Sequence, residues 1–177
     1  MLKNVVEING ESIFTIQNEV VSKTVVLMTH GYAEHILRYE WFMHQLSQQG
    51  IKVIGFDQRG HGQSSGKRAM VNSFEEYVED MHHLVKEHFV EGNRNFLFGH
   101  SMGGLVCLRY LQRHGGENIH GIVTTGAAMK PAEVSPILIF LAPIIAGIFP
   151  WLPTVKLDKT SISRDPEVVK SYDNRYK

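Results

Sequence analysis

Three apolar residues, Phe96, Leu97 and Phe98, run straight into Gly99-His100-Ser101-Met102-Gly103-Gly104, and Leu105, Val106, Leu108 and Leu111 follow at helical spacing. The order is that of a buried strand, a very tight turn and a helix, the layout of a nucleophile elbow. A serine hydroxyl is a weak nucleophile unless it is held clear of its neighbours beside a base, and a strained strand-to-helix turn presents it in that way. Gly99 and Gly103 lack the Cβ that would keep strand and helix apart, and the helix N-terminus directs amide N–H groups toward a developing oxyanion. Ser101 is the candidate nucleophile.

The rest of the chain reads as strands alternating with helices. Val5 to Ile8 and Ile13 to Ile16 flank Asn9-Gly10, the turn dipeptide of a β-hairpin, and are expected as edge strands. Val25 to Met28 and Val53 to Phe56 are short continuous apolar runs, as in strands buried on both faces, and each ends in polar residues, Thr29-His30-Gly31-Tyr32 and Asp57-Gln58-Arg59-Gly60-His61-Gly62. Between them, Trp41, Phe42 and Leu46 suit a helix that stops at Gly50. Ser73-Phe74-Glu75-Glu76 reads as a capping box for a helix carrying Tyr77, Met81, Leu84, Val85 and Phe89 and ending near Gly92, and Ile122 to Thr125 is a further strand. This alternation predicts an α/β fold with a mostly parallel sheet, helices on both faces and ligands at the C-terminal strand ends, where His30, Asp57 and Ser101 lie. From Pro131 the character changes. Residues 137–152 are almost wholly apolar but broken by Pro143 and Pro150, too short for the roughly 20 residues of a membrane span, and are expected to form a cap. Asp165-Pro166 starts a last helix, with Asp as N-cap. The expected division is 1–130 for the core and 131–177 for the cap.

Eighteen lysines and arginines balance eighteen aspartates and glutamates in the 177 residues, so no nucleic-acid partner is expected. The single cysteine, Cys107, falls in the apolar helix after the elbow and is expected to be a small buried hydrophobe, and Glu7, Asn9 and Glu11 break any secretory apolar stretch, so a cytoplasmic location is expected. His82, His83 and His88 share one helix with Glu79 and Glu87 without three converging ligands, and 60–67 has the wrong glycine spacing for a phosphate loop. No metal and no cofactor are expected.

His30-Gly31-Tyr32-Ala33-Glu34-His35 with Arg38-Tyr39, Asp57-Gln58-Arg59-Gly60-His61-Gly62-Gln63-Ser64-Ser65-Gly66 and Gly99-His100-Ser101-Met102-Gly103-Gly104 together resemble the monoacylglycerol lipase and lysophospholipase branch of the α/β-hydrolases. Ser163-Arg164-Asp165-Pro166-Glu167 with Tyr172 is similar to that family's cap-exit segment. The resemblance implies an α/β-hydrolase fold, a serine ester hydrolase acting on single-chain lipid esters, Ser101 as nucleophile, and the backbone N–H groups of Tyr32 and Met102 as oxyanion hole. His30, Gly31, Gly99, His100 and Gly103 support that motif, and Asp57, Arg59 and His61 brace the loops. Tyr32 departs from the small residue expected after His-Gly and is expected to narrow the acyl pocket. The apolar cap adds an expectation of peripheral membrane contact, which liposome flotation registers.

A serine of this kind takes an acid and then a histidine later in the chain. After Ser101 the histidines are His114 and His120, both expected at the opposite end of the sheet together with Glu117, while Asp158, Asp165, Glu167 and Asp173 have no histidine after them. His30, His35, His61 and His100 are near the site in sequence. The expectation is a chain that lacks the family's C-terminal strands, with triad acid and base absent and poor activity on its own. The alternative is a non-catalytic lipid-binding or interaction module of the same fold. A peptidase or an epoxide hydrolase is the third reading, the latter disfavoured because it needs a carboxylate where Ser101 stands.

Overall fold

The computed structural model describes residues 1–129, 164–167 and 169. The chain divides into two units, Met1–Lys130 and Pro131–Lys177. In the first, β1 (Leu2–Ile8) and β2 (Glu11–Gln17) form the hairpin, with Asn9 and Gly10 both at positive φ, 50° and 81°. β3 (Thr24–Thr29), a 3₁₀ turn (Ile36–Tyr39), α1 (Glu40–Gln48), β4 (Lys52–Phe56), α2 (Glu75–His88), β5 (Arg94–His100), α3 (Met102–His114) and β6 (Gly121–Thr125) follow. The sheet order is β1-β2-β4-β3-β5-β6. β4, β3, β5 and β6 are mutually parallel, with Thr29 opposite both Phe56 and Gly99 and His100 opposite Thr125, so their C-terminal ends share one edge of the sheet.

Side-chain alternation along these strands builds two cores. Val25, Leu27, Ile54, Phe56 and Leu97 face α2 and α3 and pack with Val78, Met81, Leu84, Val106, Cys107 and Tyr110. Met28, Val53 and Phe98 point the other way, onto Ile36 and Met43. Helices therefore cover both faces, and the central strands need apolar side chains at every position, which is why they read as unbroken apolar runs.

Four local expectations change. Only β1 is an edge strand of the hairpin pair: β2 pairs antiparallel with β4, Thr15 opposite Phe56, so its second row of backbone groups is satisfied inside the sheet. Trp41 is 72% exposed, because α1 turns Met43 inward and leaves Trp41 on its outer face. In α3 the buried stripe is Gly103, Gly104, Val106, Cys107 and Tyr110, with Leu105, Leu108 and Leu111 half-buried. The capping box is displaced: the Ser73 hydroxyl accepts from Glu75 N–H at 3.3 Å, and the Glu76 carboxylate accepts from Asn72 N–H at 3.2 Å, since Glu76 is shared with Arg59.

In the second unit, Glu167 N–H donates to Asp165 Oδ1 at 2.9 Å and Val169 N–H to the Asp165 carbonyl at 3.2 Å, the N-cap expected ahead of Pro166. The apolar stretch 137–152, Asp158, Ser163, Tyr172 and Asp173 lie outside the described residues. Among the described residues no helix is long and apolar enough to cross a membrane.

Candidate active site

Ser101 sits between the last residue of β5 and the first of α3 with φ 49° and ψ −114°. A side-chain-bearing residue at positive φ costs on the order of 1–3 kcal/mol and persists only when its surroundings impose it. Here both backbone groups of the serine are tied down. Its N–H donates to the Thr125 carbonyl at 2.9 Å, and its C=O accepts from Leu105 N–H at 3.2 Å and Ala128 N–H at 3.1 Å. Close approach of strand and helix needs the flanking glycines: a Cβ on Gly99 would lie 2.4 Å from the Gly103 carbonyl oxygen, and one on Gly103 would lie 2.6 Å and 2.7 Å from the carbonyl oxygens of His30 and Thr29. As the first residue of α3, Met102 has no intrahelical acceptor for its N–H.

The segment leaving β3 lies against the serine. A Cβ on Gly31 would meet Ser101 Cβ at 3.1 Å and His100 Cδ2 at 3.2 Å. Gly31 N–H donates to Glu34 Oε1 at 2.6 Å, and the same oxygen accepts the Tyr39 hydroxyl at 2.7 Å while Arg38 pairs with Oε2 at 3.0 Å. That carboxylate thus ties Gly31, at the start of the turn, to Arg38 and Tyr39.

His30 and Asp57 stand behind this turn. Both are fully buried. His30 Nδ1–H donates to the Gly31 carbonyl at 2.7 Å, Nε2 accepts from Gln58 N–H at 3.0 Å, and the Gln58 side chain donates to the His30 carbonyl at 2.5 Å. An Nε2 that accepts an amide hydrogen carries no proton, so its 3.7 Å approach to Asp57 Oδ1 is a contact of a neutral ring and not an ion pair. Burial pushes the His30 pKa down to about 3. Asp57 accepts from Ile36 N–H at 2.6 Å and Gln63 N–H at 2.8 Å, and burial raises its pKa despite those two bonds. Arg59 is held in a fork by Asp80 at 2.7 Å and 2.6 Å and by Glu76 at 2.9 Å. The His61 imidazole, 3% exposed, bonds through Nδ1 to the Arg59 carbonyl at 3.0 Å, and burial lowers its pKa. These bonds tie both polar loops to α2 and to each other.

An acid-labile fold follows. Unfolded histidine titrates near pH 6.5, so below that pH the unfolded chain takes up a proton that folded His30 refuses until about pH 3. Its contribution to stability is complete above pH 6.5 and falls by about 1.4 kcal/mol per pH unit below it. His61 acts in the same sense. Asp57 acts in the opposite one, since a raised carboxyl binds its proton more readily when folded, and this reduces the slope at the acid end of the window. Urea unfolding is expected to show a loss of about 2 kcal/mol from pH 7 to pH 5. A flat profile over that interval would contradict a buried neutral His30.

The remaining sequence candidates separate by location. His100 bonds through Nδ1 to the Thr125 hydroxyl at 2.8 Å, beside the serine. His114 ends α3, where its ring stacks on His82 at 3.8 Å and its Nε2 lies 3.2 Å from Glu79. His120 exchanges bonds with Asn95 at the start of β5. Both histidines lie at the sheet end away from Ser101, as expected. Among the described residues no hydrogen bond joins an imidazole to Ser101 Oγ. Two groups escaped the sequence reading. Thr125 holds the Ser101 amide and the His100 ring together, and nothing local to a strand end signals that. Asp80 was detectable, because it stands on the apolar stripe of α2, three residues after Tyr77 and four before Leu84.

A family model described as serine aminopeptidase, S33, matches residues 21–176. The chain is 38% identical over 154 residues to a monoacylglycerol lipase of Mycolicibacterium smegmatis, an alignment covering 84% of this chain and 54% of that one. The crystal structure of Paleococcus ferrophilus monoacylglycerol lipase superposes with a TM-score of 0.79 at 32% identity, over 91% of this chain and 62% of that chain. A soluble variant of Saccharomyces cerevisiae monoglyceride lipase in complex with a substrate analog superposes with a TM-score of 0.76 at 26% identity, over 94% and 59%. The chain thus spans little more than half the length of the first relative and about three fifths of the other two.

Proposed function

The chain belongs to the serine aminopeptidase S33 family of α/β-hydrolases, and on that premise we propose that it carries the nucleophile and oxyanion hole of a monoacylglycerol lipase or lysophospholipase type of ester hydrolase. The observation behind this reading is the strained, doubly tethered Ser101 at the strand-to-helix turn. In the proposed reaction Ser101 Oγ attacks the ester carbonyl carbon of a single-chain lipid, its proton passes to a base, and the carbonyl oxygen becomes an oxyanion facing the N–H groups of Tyr32 and Met102. The C–O bond to the alcohol then breaks, the alcohol leaves with a proton, and water cleaves the acyl-serine ester. The relatives named as lipases favour an ester over a peptide substrate. Residues 1–130 act as the core and 131–177 as a cap that contacts the lipid and, at its surface, a membrane, in a cytoplasmic protein whose single cysteine is buried. No histidine follows His120 in the sequence, and among the described residues no imidazole is bonded to Ser101 Oγ; on this reading the 177-residue chain by itself is catalytically poor.

The non-catalytic module is separated from this reading by acyl transfer. With p-nitrophenyl decanoate the chain is expected to accumulate one slowly formed decanoyl ester, mapped by mass spectrometry to Ser101. Reversible lipid binding with no acylated peptide would favour the module.

A further inference from the structure

Tyr32 is 44% exposed, yet it follows Gly31, which lies against Ser101, and the next residue, Ala33, is at φ 55°. A backbone held at positive φ in a side-chain-bearing residue relaxes unless something imposes it. Among the described residues the Tyr32 ring meets that of His61 edge-on, at 5.8 Å and 72°. His61 is well placed to impose geometry. Its ring packs against His30 at 5.5 Å and Tyr77 at 6.2 Å, and its Nδ1–H is aimed by the Arg59 carbonyl. Arg59 in turn is locked to Asp80 and Glu76 of α2. Among the described residues the buried Nε2 has no hydrogen-bond partner, so the Nδ1–H bond and the faces of the ring do the holding.

We propose that His61 is a positioning residue: it clamps the Tyr32 ring and so fixes the backbone at residue 32, relaying the rigidity of α2 to the loop beside Ser101. Its catalytic consequence rests on the reading of Tyr32 N–H as an oxyanion donor, but the clamp itself does not. Backbone ¹⁵N relaxation on the 177-residue chain tests it. A rigid amide has an order parameter of about 0.85 and a flexible one below about 0.6. In His61→Ala the value at residue 32 is expected to fall into the flexible range while Leu27 of β3 and Leu97 of β5 stay rigid, a split that general destabilisation would not produce. His61→Phe, which keeps a ring, is expected to restore most of the order. Tyr32→Ala, approached from the exposed side, reproduces the loosening should His61→Ala fail to fold. An amide at residue 32 that stays rigid without its ring partner, or a loss of order shared by the core strands, would overturn the clamp. The rate of Ser101 phosphonylation separates the two readings. A fall of about ten-fold in His61→Ala supports both, whereas a loosened residue 32 with an unchanged rate keeps the clamp and removes Tyr32 from the oxyanion hole.

Discussion

On a monoacylglycerol the 177-residue chain is expected to release fatty acid at least about three orders of magnitude more slowly than an enzyme with an assembled serine triad. The elbow is present, but among the described residues no hydrogen bond offers the proton of Ser101 an acceptor imidazole. His30 has both ring nitrogens committed, one to the Gly31 carbonyl and one to Gln58 N–H, and protonates only near pH 3. His61 is buried and aimed by the Arg59 carbonyl, and His100 is bonded to Thr125. His114 and His120 are spent at the far end of the sheet. What is left is the acceleration that the proposed oxyanion hole and binding would supply. Fatty-acid release followed by chromatography measures this, and a rate of triad magnitude that disappears in Ser101→Ala would mean that a neighbouring imidazole, His100 first among them, has taken over as base.

Gly99→Ala and Gly103→Ala are each expected to lower stability by about 3 kcal/mol or more in urea unfolding, a large share of the 5–15 kcal/mol that holds an ordinary domain together. At both sites the new methyl would meet main-chain atoms within 2.7 Å. Main-chain atoms cannot swing aside as the tip of a long side chain can, so α3 would have to lift from β5 and β3, opening the core around Leu97 and Val106. Gly116→Ala serves as the comparison. Its Cβ would have ordinary contact, 3.7 Å from Leu111 Cδ2, and the substitution is expected to be near neutral. A loss below about 1 kcal/mol at Gly103 would show that the helix docks with slack to spare.

How much of this was legible beforehand depended on whether the cause was local. Asn9-Gly10 announces its own turn, because the dipeptide tolerates the two positive φ values that the hairpin requires. The elbow is equally self-contained: five consecutive residues carry both the strain and the glycines that permit it. That the β2 strand is interior was not legible, since it depends on β4 arriving some forty residues later to take its free edge. The same holds for Trp41, whose exposure follows from which face of α1 the sheet claims. At the site, His30, Asp57 and Ser101 were placed together by the rule that parallel strands end at one edge. The state of His30 could not be, because only the Gln58 amide, brought in by the neighbouring strand, decides that its Nε2 carries no proton. The Arg59 to Asp80 lock joins two segments that no periodicity relates, although a lone aspartate on an apolar helix stripe is a signal that such a partner exists.

The identity of the nucleophile is tested most directly by treating the purified chain with a fluorophosphonate and mapping the adduct by mass spectrometry over time, beside Ser101→Ala. The expected result is a single phosphonyl group on Ser101, absent from the variant, forming about three orders of magnitude more slowly than on an assembled triad. An adduct on any other residue, or none on Ser101 after exhaustive treatment, would contradict it.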